Sequence, residues 1–227
     1  APADAREEKV GFKDLWRFFR RPGIGHWVLI LVTYGLAISI AYALINPLLV
    51  DLGWTLDRIG FATNIVGSIF AIIGAMLAGT LVQWIGRKSA MLLTGLFAAL
   101  SVAGLYIPAQ GVNNIALVYV SLSVMLLAYG ASTTILATLT MDKSDPSTAG
   151  TDYSLQYSLF SLLSFTFSGL ALGFAESVGY ANVLTAAIVI GLASLVVVWF
   201  YNDFDPAFNE STTNNMSSND GLILAEG

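Results

Sequence analysis

Six long apolar segments, separated by short polar connections, dominate this sequence of 227 residues. We place them at residues 27–50, 58–83, 89–108, 113–141, 152–175 and 179–201. Each is close to the ~20 residues that an α-helix needs to cross a hydrocarbon core. Only 11% of the residues are charged, against ~25% in a soluble domain. Short connections force neighbouring helices to run antiparallel, so the sequence predicts an all-α integral membrane protein built as a six-helix bundle.

The two ends of the chain differ from this transmembrane part, which we assign to residues 26–201. Residues 1–25 are predicted to be a cytoplasmic linker with an amphipathic helix, because aromatic and aliphatic side chains recur at helical spacing among cations; they are Phe12, Leu15, Trp16 and Phe19. Residues 202–227 are rich in Ser, Thr and Asn and show no periodicity, which predicts a disordered cytoplasmic tail. The polar start resembles a linker, and we expect the chain to belong to a longer protein.

The cations predict how the bundle is oriented. Of the ten Lys and Arg residues, only Arg58 falls on one side of the predicted membrane, and the others fall on the opposite side. Those nine are Arg6, Lys9, Lys13, Arg17, Arg20, Arg21, Arg87, Lys88 and Lys143. Because cytoplasmic loops carry the excess of positive charge, both termini are predicted to be cytoplasmic.

Large polar side chains occur in the first, second, fourth and fifth segments, whereas the third and sixth are almost wholly apolar. A buried polar group in hydrocarbon is costly unless it finds a partner or water. One interpretation places these four helices around a hydrated cavity, with the third and sixth outside. The other is hydrogen bonding between helices, and both stay open. The candidate cavity residues are Tyr34, Tyr42, Asn46, Asn64, Tyr129 and Gln156.

The sequence lacks the motifs of several common enzyme and nucleic-acid-binding classes. The sequence has no cysteine and a single histidine, His26, at the start of the first segment. It contains no Gly-x-Ser-x-Gly, no His-Glu-x-x-His and no phosphate-binding Gly-x-x-x-x-Gly-Lys motif, so the usual routes to a hydrolase or nucleotidase are missing. No basic surface for nucleic acid is apparent. We therefore predict a protein that is not an enzyme and has no cofactor or metal.

A short basic turn joins the second and third segments. Its sequence, Gly79-Thr-Leu-Val-Gln-Trp-Ile-Gly-Arg-Lys88, resembles the signature of the major facilitator superfamily, with Gly79, Gly86, Arg87 and Lys88 matching and Gln83-Trp84 replacing the usual Asp-Arg/Lys. Glycine suits close helix packing at Gly79 and a sharp turn at Gly86. The resemblance implies that residues 12–201 form the second six-helix half of a two-half transporter that works by alternating access.

Two further stretches resemble one branch of that superfamily. The segments 46–54 and 141–156 are similar to permeases of the AmpG and acetyl-coenzyme A transporter branch, and residues 12–23 are similar to siderophore permeases of the RhtX/FptX type. The branch implies a small organic solute, siderophore-like or muropeptide-like, carried across a bacterial inner membrane. Symport with a coupling proton is a further expectation, and the sequence leaves the coupling ion open. The implied partners are the lipid bilayer and either the missing N-terminal half or a second copy of the chain.

The basic turn suggests a cytoplasmic gate. We expect Arg87 and Lys88 to face Asp142 and Asp152 when this side is closed, since these are nearly the only charges at the cytoplasmic ends of the segments. Alternatively, Thr151 caps the fifth helix and Asp152 stabilises its first turn through the helix dipole. A different function also stays open, that of a non-transporting membrane scaffold or assembly factor whose polar residues only hold the helices together.

Overall fold

The computed structural model describes residues 24–146 and 148–201. The predicted amphipathic helix and C-terminal tail lie outside these residues. Six helices long and apolar enough to cross a membrane account for nearly all of the described chain, which confirms the all-α, six-helix fold class. They are α1 (Ile24–Asp51), α2 (Leu56–Ile85), α3 (Arg87–Ala109), α4 (Ile115–Asp142), α5 (Ala149–Val178) and α6 (Tyr180–Phe200).

Three of these helices are irregular. Within α2, the segment Phe61–Val66 forms a π-helical turn. The last turn of α3, Tyr106–Ala109, is set off from the rest of the helix by Leu105. Pro47 lies inside α1, where its ring nitrogen cannot donate the usual helical hydrogen bond. Interruptions of this kind in membrane helices are tolerated where neighbouring groups, water or a cavity satisfy the backbone.

The helices form two layers. The front layer has the order α5, α1, α4, α2, because α1 packs on α5 and α4, and α2 packs chiefly on α4. The back layer consists of α6 and α3, which pack on each other, with α6 behind α1 and α3 behind α4. The four helices with large polar side chains therefore share the front layer, as the polar pattern predicts.

The least covered helices are nevertheless not α3 and α6. Of the apolar windows of the six spans, those of α5 and α2 are the least buried, at 11% and 17%. The reason is their position: each lies at an edge of the front layer and packs along one side only. Large apolar side chains project from these edges, among them Ile69, Met76, Leu162 and Phe165.

Close packing in the bundle depends on glycines other than Gly79. A Cβ atom on Gly130 of α4 would overlap the backbone carbonyl of Ala71, and one on Gly74 of α2 would overlap that of Leu127. Among the described residues, a Cβ on Gly79 would meet no atom within 4 Å, so the close packing expected at Gly79 is not found in this part of the chain. Gly86 does make the turn between α2 and α3, with a φ of 79° that favours glycine.

Candidate functional site

The centre of the front layer carries a pair of stacked tyrosines. The rings of Tyr42 on α1 and Tyr129 on α4 lie 4.7 Å apart between centroids, at an interplanar angle of 22°. Tyr42 is 45% exposed and Tyr129 is half-buried. Two amphipathic rings with exposed surface in the membrane-spanning part of a bundle offer both a flat apolar face and hydroxyl groups to a bound molecule.

Two exposed amides, each at an irregular position of its helix, accompany the tyrosines. Asn46 lies one turn beyond Tyr42 and directly before Pro47, and Asn64 lies within the π-helical turn of α2. Both side chains are exposed, on the two helices that flank α4 in the front layer. Irregular turns in membrane helices are frequent at binding sites, since they free backbone groups that a ligand or water then satisfies.

Tyr34 does not join this group. Its side chain is 4% exposed, and its hydroxyl lies 2.8 Å from Thr94 Oγ1 on α3, so it faces the back layer. The physical reason is helical geometry. Eight residues turn through about 800°, which leaves Tyr42 about 80° away from Tyr34 around the axis of α1. The prediction that Tyr34, Tyr42 and Asn46 share one cavity-lining face therefore fails for Tyr34.

Gln156 is also buried, at 1% exposure, and joins three helices. Trp27 Nε1 of α1 donates to Gln156 Oε1 at 2.6 Å, while Gln156 Nε2 donates to the carbonyl of Thr140 and to Ser144 Oγ at 3.2 and 3.3 Å. It also donates to the carbonyl of Asp152. Since each polar atom of the amide has a partner, Gln156 holds helix ends together and does not line the open face. We call this group the amide clamp.

Asp152 stands beside the amide clamp. It is 2% exposed and lies in the first turn of α5, where its Oδ2 accepts from the backbone nitrogen of Asp145 at 3.0 Å. Helix α5 begins at Ala149 after Thr148, so Thr151 lies inside the helix and is not its cap. A carboxylate in this turn is favoured by the positive end of the helix dipole, as the alternative interpretation of Asp152 expects.

The basic turn is tied to the end of α4. Arg87 Nε donates to Asp142 Oδ2 at 2.5 Å and Arg87 Nη2 donates to Asp142 Oδ1 at 3.3 Å. Lys88 Nζ lies 6.0 Å from the centroid of the Trp199 ring of α6. We call this side of the bundle, with Arg87, Lys88 and Lys143, the basic end. The pair that the gate hypothesis requires between Arg87 and Asp142 is present.

The opposite end is held by aromatic contacts. Trp54, between α1 and α2, donates from Nε1 to Asn113 Oδ1 at 3.0 Å, and Asn113 Nδ2 donates to the carbonyl of Leu52. The guanidinium carbon of Arg58 lies 4.3 Å from the Trp54 ring centroid. The loops at this end are therefore fixed by a buried ring and its cation.

Sequence reasoning missed three residues near the candidate site. Trp27 completes the amide clamp, and a tryptophan inside a membrane span is a signal, because its buried N–H requires a partner. The Tyr157 ring lies 6.4 Å from that of Phe160 between centroids, and Phe160 packs against Gly35 of α1. For α5, the sequence signal is the spacing of Tyr153 and Tyr157, because residues four apart lie on the same face of a helix.

The described residues contain no group of three or more His, Asp or Glu side chains able to hold a metal.

A comparison with protein families identifies the family of the chain: the family model for the Major Facilitator Superfamily matches residues 1–168. That match covers well over half of the sequence and includes α1 to α4, the basic turn and the stacked tyrosines. With six membrane-spanning helices, a front layer that carries polar side chains and a basic turn tied to α4, the chain belongs to the Major Facilitator Superfamily of membrane transporters.

Proposed function

We propose that the chain moves an organic solute across a bacterial inner membrane by alternating access, as one half of a carrier. In this proposal the solute contacts Tyr42, Asn46, Asn64 and Tyr129 on the front layer. The observation that carries it is their position on three adjacent helices, with Tyr42, Asn46 and Asn64 exposed and Tyr129 half-buried beneath Tyr42. Polar groups placed in a membrane bundle without burial need water, a solute or another protein surface to contact them.

The lining supports a solute with rings and hydrogen-bonding groups. Tyrosine rings present flat faces, and the two asparagines present both donors and acceptors. The charged residues of the described spans lie close to helix ends. The described part of the chain therefore has no charged side chain near the centre of the membrane with which a solute could form an ion pair. Siderophore-like and muropeptide-like molecules have the required ring and amide chemistry. A coupling proton would need an ionisable group at depth elsewhere in the assembly.

The basic end serves as the cytoplasmic gate in this proposal, because positive charge concentrates on cytoplasmic loops. Arg87 and Asp142 form the gating pair, while the amide clamp keeps α1, α4 and α5 together as a unit that moves as a whole. The exposed edges of α2 and α5 supply the surface on which the N-terminal half, or a second copy of the chain, rests. Members of the AmpG and acetyl-coenzyme A transporter branch share the sequence features that favour this assignment.

Uptake into membrane vesicles tests the function. Vesicles from cells producing the protein are given an iron-loaded siderophore or a radiolabelled muropeptide, and accumulation is compared with vesicles from cells that lack it. We expect accumulation of one of them, and we expect Tyr42→Leu and Asn64→Leu to reduce it at least fivefold. Phe165→Leu, an exposed aromatic at the edge of α5, is the matched control. Accumulation that is unchanged by all three variants contradicts the assigned cavity. No accumulation of either solute contradicts the proposed solute class.

A further inference from the structure

Helix α5 presents a second pair of tyrosines near the basic end. The rings of Tyr153 and Tyr157 are nearly parallel, at 9°, with centroids 6.0 Å apart. Tyr157 is 55% exposed and Tyr153 is half-buried. Because residues four apart lie on the same helix face, the two rings form one continuous surface about one helical turn in length.

The buried contacts of α5 fix the rotation of the helix that carries this surface. The preceding residues, Asp152 and Gln156, are buried and hydrogen-bonded to the chain around the end of α4, which anchors that side of the helix. Each residue of an α-helix is rotated by about 100° from the one before it. Tyr153 directly follows Asp152 and Tyr157 directly follows Gln156, so the two tyrosines lie on the helix face next to the anchored one. The ring of Phe160, which covers Gly35 of α1, lies 6.4 Å from that of Tyr157.

The two pairs lie on neighbouring helices of the front layer. Tyr153 and Tyr157 belong to α5, which packs on α1, and Tyr42 of α1 stacks on Tyr129 of α4. Counting from Ala149, Tyr153 is about 6 Å and Tyr157 about 12 Å along α5. Aromatic rings therefore extend from close to the basic end to the middle of the bundle. Phe165, by contrast, is 78% exposed at the edge of the layer.

We propose that Tyr153 and Tyr157 form an additional binding subsite at the basic end of the solute path, which stacks on a flat, uncharged ring of the transported molecule. The subsite rests on the proposed transport function and deepens it by naming the class of solute, one that contains a planar ring. Flat ring faces gain by offset stacking on tyrosine, so the ring and not the hydroxyl group of each tyrosine supplies the contact.

Benzamide is the probe, because it combines a planar uncharged ring with an amide. Cyclohexanecarboxamide is the matched probe with a puckered ring of similar size. The full chain is placed in lipid nanodiscs, and dissociation constants are measured by ligand-observed saturation-transfer NMR, with empty nanodiscs as the blank. The variants are Tyr157→Leu, which removes the ring, Tyr157→Phe, which keeps it, and Phe165→Leu, which removes an exposed ring elsewhere on the same helix.

We expect the unaltered chain to bind benzamide more tightly than cyclohexanecarboxamide. Loss of one stacked ring in Tyr157→Leu should weaken benzamide binding by about threefold to tenfold, whereas Tyr157→Phe and Phe165→Leu should each change it by less than twofold. Thermal unfolding of each variant verifies that it is folded.

Equal binding of the two probes, no binding of benzamide, or equal losses in Tyr157→Leu and Phe165→Leu would each overturn the subsite. The vesicle uptake assay gives a separate answer about transport. If uptake depends on Tyr42 while Tyr157→Leu leaves benzamide binding unchanged, the subsite alone is refuted. If benzamide binding depends on Tyr157 while vesicles accumulate neither solute, the proposed transport of those solutes is refuted and the subsite stands.

Discussion

The basic end and the centre of the front layer use the same kinds of residue in opposite ways. At the basic end, Gln156 and Trp27 are buried and bonded to each other across α1 and α5. At the centre, Tyr42, Asn46 and Asn64 leave their polar groups on an exposed surface. Both sets are polar side chains in helices that are otherwise apolar, and composition alone does not separate them.

The difference shows that, in this membrane bundle, one set of polar residues stabilises the fold and another set is available for binding. A polar group with all its partners inside the protein stabilises the contact between helices, whereas removing one partner leaves the other buried and unsatisfied. A polar group on an open face contributes little to folding and retains its bonding capacity for a solute or water. Substitutions in the two regions should therefore affect different measurements.

The largest effect is expected at the α2–α4 contact on which both regions depend. In Gly130→Ala the new Cβ overlaps the carbonyl of Ala71, so the helices must separate, at a cost of about 3 kcal/mol in unfolding free energy. Gly79→Ala is the control, because a Cβ there meets no atom of the described residues and alanine favours helix. Unfolding in detergent measures both. Equal losses in the two variants would contradict the packing described.

Breaking the amide clamp should have the next largest effect. Gln156→Leu leaves the buried N–H of Trp27 without its acceptor, at a cost of about 2 kcal/mol in unfolding free energy. Gln83→Leu, at an exposed position, is the matched control and should change stability by less than about 0.5 kcal/mol. The same unfolding assay compares them. A clamp variant as stable as the control would mean that the basic end is not held by Gln156.

The ion pair of the gate should matter less for stability. In Asp142→Asn the pair with Arg87 is lost, and because Arg87 is 36% exposed, we expect a loss of at most about 1 kcal/mol. The loss should shrink as salt is raised, because salt screens exposed pairs. Glu176→Gln, an exposed carboxylate near the other end of α5, is the control. Thermal unfolding at low and high salt checks this, and a loss independent of salt would contradict it.

The smallest effect on stability is expected on the open face. Asn64→Leu removes an exposed amide from the π-helical turn, so the unfolding free energy should change by less than about 0.5 kcal/mol, while solute uptake should fall. Measuring both in the same preparation sharpens the comparison between the two regions. A large loss of stability with uptake intact would place Asn64 with the structural residues of the amide clamp.

Several features of the protein follow from the sequence alone. The length and apolar character of the six segments determine the helices, because only helices satisfy their backbone within a single apolar segment in lipid. Short connections determine that neighbours are antiparallel. Glycine at position 86 determines the turn to α3, and charges placed at helix ends leave Arg87 and Asp142 on the same side of the membrane.

Only the tertiary structure decided which polar residues are bonded and which are open. Tyr34 and Gln156 look like Tyr42 and Asn64 in the sequence, yet the first two are buried and the last two are exposed. The outcome depends on the rotation of each helix about its axis and on which neighbour faces it, and both are set by long-range packing such as the contact of Gly74 and Gly130 with backbone carbonyls. A local pattern contains no information about a partner some hundred residues away, such as Trp27 for Gln156.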